Sequence, residues 1–303
     1  MSTLASLAGE GRLSTGVPLA PMTTYKVGGP ARWYLEAESE QDLVDLGRVL
    51  RHEPVPVLVL GRGSNVVVSD AGFDGVVVHL GRGLSGLEVD AAGVAAAGAA
   101  LSQAALARGT ASLGRGGLEF MIGIPGSVGG AIRMNAGCRG SETAEWLVTA
   151  RVLDLRTGTI ADRDPAELGL SYRHSNLGPT EVVVSASFRT VERPADECES
   201  LLREIIRWRR DHQPGGTLNA GSVFKNPEEG PAGKIIDELG LKGLRIGGVS
   251  VSRRHANFFV ADAGASAQDI HDLAVEVRSR VRRETGILLE PELRFAGRFG
   301  EAS

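Results

Sequence analysis

Three short segments carry groups able to bind an anion or give up a proton. Ser171-Tyr172-Arg173-His174-Ser175 precedes an apolar run. Asn219-Ala220-Gly221-Ser222-Val223-Phe224-Lys225-Asn226-Pro227 isolates one serine between glycine and apolar residues, and Glu290-Pro291-Glu292-Leu293-Arg294 sets two carboxylates near the C-terminus. Each also has an ordinary reading, as a surface turn, a helix cap or a solvated strand end. A hydrolytic Ser222 lacks the G-x-S-x-G elbow, and nothing pairs it with a particular histidine. The histidines (52, 79, 174, 212, 255 and 271) include no H-x-x-x-H spacing, and the two cysteines, Cys138 and Cys198, stand far apart. A resident metal and a disulfide framework are therefore both unexpected.

Glycine supplies the second kind of signal, at 41 of 303 residues. Gly61-Arg62-Gly63-Ser64-Asn65 is followed by Val66-Val67-Val68 rather than by a helix, so the dinucleotide fingerprint of a Rossmann fold is rejected. Such a loop can still aim backbone N–H groups at a phosphate, with Ser64 and Asn65 adding donors; an ordinary tight hairpin is the competing reading. A second, longer loop from Gly117 to Ala131 contains Gly123-Ile124-Pro125-Gly126-Ser127-Val128-Gly129-Gly130 and has no Walker lysine. Met134-Asn135-Ala136-Gly137 continues it. Backbone this bare can lie against a planar ring system. One loop suited to pyrophosphate and one suited to a ring suggest a dinucleotide cofactor such as FAD.

The elements that must hold these loops read as follows. Ser39-Glu40-Gln41-Asp42 opens a helix of about three turns with Leu43, Leu46 and Leu50 on one face. Val55 to Leu60 is a short buried strand running into the first glycine loop. Between about 76 and 190 β-like runs dominate, with one short helix near Leu101 to Arg108 closed by Gly109. From Pro194 the pattern turns helical: a stripe from Cys198 to Ile206 ends before Gln213-Pro214, a helix spans Gly233 to Leu239, and another runs from Ser266 to Glu284. ILLEPELRFAG is a closing strand. The boundary falls near 192–200, dividing a β-rich glycine-loop body from an α+β domain.

Lys+Arg 33 against Asp+Glu 37 gives a net charge of −4, which argues against nucleic acid as the principal partner. No run is apolar enough to span a bilayer, and the N-terminus lacks a signal peptide pattern, so a cytoplasmic protein is expected. Only four basic residues are lysines (26, 225, 234 and 242), and the last three mark a candidate binding surface.

GRGSN, LEFMIGIPGSVGGAIRMNAG, SYRHS, NAGSVFKNP, AGKIIDELGLKG, GGVSVSRRHANFFV and LEPELRF occur in an order and spacing that resembles the UDP-N-acetylenolpyruvylglucosamine reductases, over about residues 18 to 297. The short step from Ser175 to EVVVSASF resembles the family's shorter branch, which lacks an inserted tyrosine loop. The resemblance implies an α+β protein with a two-lobed FAD-binding domain of the vanillyl-alcohol-oxidase type, residues 17–82 and 83–193, and a C-terminal α+β substrate-binding domain, 194–303. It implies non-covalent FAD, NADPH as hydride donor, and a small-molecule UDP-sugar enolpyruvyl ether as substrate, reduced to UDP-N-acetylmuramate for peptidoglycan. A cytoplasmic monomer with neither membrane nor nucleic-acid partner is expected.

Carried over residue by residue, Ser222 matches the proton donor, Arg173 the arginine that binds the substrate carboxylate, and Glu292 the family's glutamate. The glycine before Ser222 is expected to permit close approach. Gly61, Arg62, Gly63, Ser64, Asn65, Gly123, Ile124, Pro125, Gly126, Ser127, Gly129, Gly130, Gly137 and Arg294 fall at cofactor positions. His212, Asn226, Lys242 and His255 fall at substrate positions. The chain departs from the family pattern at Arg133, Cys138, Arg139 and His212, where added positive charge beside the flavin region and a changed diphosphate contact are expected. Two alternatives stay open: a paralogue acting on another nucleotide-linked sugar, and a flavin-binding protein without turnover.

Overall fold

The computed structural model describes residues 3–300, and these form two compact units. The first comprises the segment ending at Thr15, Trp33–Arg62 and Gly75–Trp208; the second comprises Gly16–Arg32, Gly63–Asp74 and the chain from Arg209 onward. The first glycine loop is thus shared between them, Gly61 and Arg62 in one, Gly63, Ser64 and Asn65 in the other.

In the first unit, helix Glu40–Leu50 begins where the sequence predicts, with the Ser39 and Asp42 side chains capping each other's backbone N–H. Its Leu43, Leu46, Val49 and Leu50 are buried with Val76, Val78, Val182 and Val184. Strand Val57–Leu60 pairs in parallel with Phe73–Leu80. A five-stranded antiparallel sheet follows in the order Ile160–Arg163, Leu147–Asp154, Glu181–Phe188, Ala95–Gly98, Leu87–Val89. Apolar residues drive it: along Glu181–Phe188, Val182, Val183, Val184, Ala186 and Phe188 are buried, the central valines on both faces of the sheet.

Two expectations fail here. The short helix does not stop at Gly109 but spans Gln103–Ser112, with Gly109 inside it against the end of the Leu87 side chain. The second glycine loop is not continuous loop either. Glu119–Gly123 is a 3-10 turn, and Val128–Arg133 is a short helix whose N-cap Ser127 accepts from the Gly130 N–H.

In the second unit, helix Ala267–Thr285 is capped by a Ser266/Asp269 box and ends at Gly286 in the left-handed conformation, φ +78°. Ile270, Leu273, Ala274, Val277 and Val281 pack against Tyr25, Val67, Ile235, Ile236, Val249, Val251 and Phe259. Strand Val66–Val68 pairs in parallel with Arg294–Ala296. The first glycine loop is therefore no hairpin, since the strands before and after it join different sheets. The closing strand is only Arg294–Ala296; the segment from Ile287 to Leu293 is instead held by scattered bonds, among them an isolated bridge from Pro291 to Phe224.

Candidate active site

The second unit gathers four segments that lie far apart in sequence. Segment 222–225 runs between residues 257–258 on one side and 290–293 on the other. The Glu292 N–H donates to the Val223 carbonyl at 2.8 Å, and Lys225 N–H donates to Glu290 O at 2.9 Å. Across the other edge, Val223 N–H donates to Asn257 O at 2.8 Å, and Ser222 forms an isolated antiparallel bridge with Phe258. GRGSN arrives by way of Asn65, whose Nδ2 donates to Glu292 O at 3.0 Å and whose carbonyl accepts from Arg294 N–H at 2.9 Å. Ser222 and Glu292 are both half-buried, Arg294 exposed. Gly221 ahead of Ser222 has φ +78° with nothing within 4 Å of a Cβ. Its glycine serves the turn rather than any close approach within the chain itself.

The substrate candidates divide. Asn226 Oδ1 accepts from Ala232 N–H at 3.0 Å and so caps helix Ala232–Glu238. His255 is half-buried against Gly233, its Nδ1 accepting from Asn257 N–H at 3.3 Å. Burial, helped by nearby Lys242, holds its pKa below the ordinary imidazole value. His212 ends helix Ala195–His212 and is exposed. The three clustered lysines are each ion-paired: Lys225 with Glu290 at 2.7 Å, Lys234 with Glu238 at 3.7 Å, Lys242 with Asp237 at 2.6 Å.

Arg173 belongs to the first unit. The bridge between Ser171 and His174 makes its loop tight, and Arg173 itself takes φ +53°, unusual for a side-chain-bearing residue. Its Nη2 donates to Gly137 O at 3.1 Å, which orients the guanidinium along the end of the second glycine segment. Fully buried Asn135 ties the two pieces together, donating from Nδ2 to Ser171 O at 3.0 Å and accepting at Oδ1 from Ala144 N–H at 2.9 Å. Ser175 Oγ donates to Arg133 O, and Arg133 Nη1 donates to Gly178 O, at 2.8 and 2.7 Å. Arg139 meets Glu204 at 2.7 Å and lies over Trp208. The two unexpected arginines are thus engaged with protein groups.

The glycine segments of this unit pack closely on neighbouring chain. A Cβ on Gly61 would lie 2.6 Å from Ser127 Oγ, so the two glycine loops touch. A Cβ on Gly137 would meet Ser141 O at 2.8 Å, and one on Gly129 would meet Ala99 Cβ at 3.2 Å. Neighbouring protein atoms thus leave no room for a side chain at Gly61 and Gly137 and little at Gly129. Upstream, Glu119 is buried, accepts from Gly117 N–H at 2.6 Å and pairs with Arg193 at 2.5 Å. Sequence reasoning missed Asn135, Glu119 and Asn257. Asn257 had a legible signal, one polar residue inside the apolar run Ala256 to Val260.

Comparison with known proteins agrees with this geometry. Residues 31–163 match an FAD binding domain and residues 213–296 the UDP-N-acetylenolpyruvoylglucosamine reductase C-terminal domain. The chain is 39% identical over 302 residues to the UDP-N-acetylenolpyruvoylglucosamine reductase of Synechococcus sp. (strain JA-3-3Ab), covering 99% of this chain and 96% of that one. It is 43% identical over 282 residues to the reductase of Rubrobacter xylanophilus, covering 92% and 94%. The crystal structure of the Thermus caldophilus enzyme superposes with a TM-score of 0.79 at 35% identity, covering 94% of this chain and 98% of that one. With bare-backbone loops in one unit and the 222–225 segment clasped in the other, the chain belongs to the UDP-N-acetylenolpyruvoylglucosamine reductase family, FAD-dependent oxidoreductases of peptidoglycan precursor synthesis.

Proposed function

We propose that the chain reduces UDP-N-acetylglucosamine enolpyruvate to UDP-N-acetylmuramate with NADPH as the electron source and Ser222 as the proton donor. The observation that carries the assignment of residues is the pair of main-chain hydrogen bonds joining the Ser222 segment to the Glu292 segment. FAD, once bound and reduced by NADPH, would supply a hydride to the terminal enolpyruvyl carbon. Charge then grows on the substrate carboxylate. Arg173 meets that charge with a planar two-pronged donor, and Glu292, when protonated, donates a further hydrogen bond. Ser222 Oγ gives its proton to the carbon left basic by hydride addition, a role open to a weak acid held within hydrogen-bond reach. His212, Asn226, Lys242 and His255 would bind the UDP-sugar. Gly61 to Asn65, Gly123 to Gly130, Gly137 and Arg294 would hold FAD without a covalent bond.

The lobes 17–82 and 83–193 would carry the flavin and 194–303 the substrate, in a cytoplasmic monomer. The reading as a paralogue for another sugar draws on Arg133, Cys138, Arg139 and His212; two of these, Arg133 and Arg139, are engaged with Gly178, Glu204 and Trp208, which favours the reductase. Stopped-flow absorbance separates the two half-reactions. Ser222→Ala should leave flavin reduction by NADPH near wild type and slow reoxidation by the enolpyruvyl sugar by ~10²–10⁴. Wild-type reoxidation in that variant would remove Ser222 as donor.

A further inference from the structure

We infer that Asn257 is the positioning residue for Ser222, a role that rests on the reading of Ser222 as proton donor. Asn257 is 3% exposed, and its side chain is spent entirely on the main chain of the segment carrying Ser222. Oδ1 accepts from Phe224 N–H at 3.0 Å, Nδ2 donates to Phe224 O at 2.8 Å, and the Asn257 carbonyl accepts from Val223 N–H at 2.8 Å. One residue therefore holds three of the four main-chain polar groups of Val223 and Phe224, the two residues that follow Ser222.

The arrangement imitates a strand pair. A side-chain amide has one acceptor and one donor side by side, matching a peptide's own N–H and C=O. Because the amide takes both polar groups of Phe224, ladder pairing gives way to the single bridge between Ser222 and Phe258. On the opposite edge Val223 O is held by Glu292 N–H, so the segment cannot slide toward either neighbour without breaking buried hydrogen bonds. Upstream, Asn219 Oδ1 accepts from Gly221 N–H at 3.1 Å, which fixes the turn that delivers the serine. A general acid displaced by about 1 Å can lose ~10²-fold in rate, so this restraint bears directly on proton delivery.

Asn257→Asp keeps the acceptor for Phe224 N–H but sets an oxygen against Phe224 O in place of the donor. Stopped-flow measurements on holoenzyme should show FAD absorbance and flavin reduction by NADPH at wild-type level, with reoxidation by the enolpyruvyl sugar slowed 10- to 100-fold. The decisive comparison is the double variant. If Asn257 acts through Ser222, adding Asn257→Asp to Ser222→Ala should slow reoxidation less than threefold further. A general structural role would multiply the two losses. Asn257→Ser, which leaves room for a bridging water, supplies the same cycle should Asn257→Asp fail to fold.

Reoxidation within twofold of wild type in either Asn257 variant, or multiplying losses in the double variant, overturns the inference while a slow Ser222→Ala leaves the donor reading intact. Normal reoxidation in Ser222→Ala overturns both.

Discussion

Ser127 Oγ lies 2.6 Å from where a Cβ on Gly61 would stand, and the same hydroxyl caps helix Val128–Arg133. Gly61 is not at positive φ, so its intolerance of a side chain is steric. Gly63 is the strained one, at φ +61° with a Cβ position that collides with Met22 O.

Gly61→Val should therefore dislodge the Ser127 cap and weaken FAD, and Gly63→Val should cost roughly 1–3 kcal/mol of stability besides. Arg62, exposed, should tolerate alanine with a much smaller change in FAD affinity. Titration of apoprotein with FAD decides the matter: similar dissociation constants for Gly61→Val and Arg62→Ala would refute the cradle.

Asn135→Ala should leave the Ala144 N–H and Ser171 O without their buried partner and cost about 1–3 kcal/mol. The loop carrying Arg173 would loosen with it. Reoxidation by substrate should slow, and flavin reduction should not. Equal slowing of both half-reactions would show that Asn135 supports the cofactor instead.

Removal of Arg193 by alanine would strand the buried Glu119 carboxylate that holds the Gly117 turn. The loss should be about 2–3 kcal/mol, below the ~3–5 of a fully buried pair, because Arg193 keeps 30% of its side chain exposed. The companion variant Glu119→Gln, which keeps the Gly117 acceptor, should lose less. Chemical denaturation ranks them; a more costly Glu119→Gln would contradict the pair's proposed role.

His255 gives a pH dependence with a definite sign. Its folded pKa lies below the ordinary imidazole value because of burial and Lys242, so the unfolded chain takes up a proton first as pH falls. The stability this supports is complete above about pH 6.5, the unfolded pKa, and is lost as pH falls through the lower folded value. Protonation also ends the ring's role as acceptor for Asn257 N–H. Melting temperature followed from pH 8 to pH 5 should fall less steeply in His255→Gln than in wild type. A parallel fall would mean that His255 titrates alike in both states.

Local chemistry was readable from the chain. Ser39 with Asp42 and Ser266 with Asp269 cap helices where the pattern required them, because a cap is decided within four residues. The consecutive valines of Glu181–Phe188 likewise placed a strand, buried on both faces at its centre. Motif order alone identified FAD chemistry and nominated Ser222, Arg173 and Glu292. What required the tertiary structure was every relationship decided by a distant neighbour. Gly109 looked like a helix stop, yet it lies inside a longer helix, against the end of the Leu87 side chain. Arg133 stood out in the chain only as an added charge, and its partner, Gly178 O, emerges only in the fold. Asn257 looked like one polar residue in a buried run, yet its amide satisfies Phe224 across a gap of more than thirty residues. A buried polar group must find a partner, but the sequence carries no address for that partner; folding supplies it.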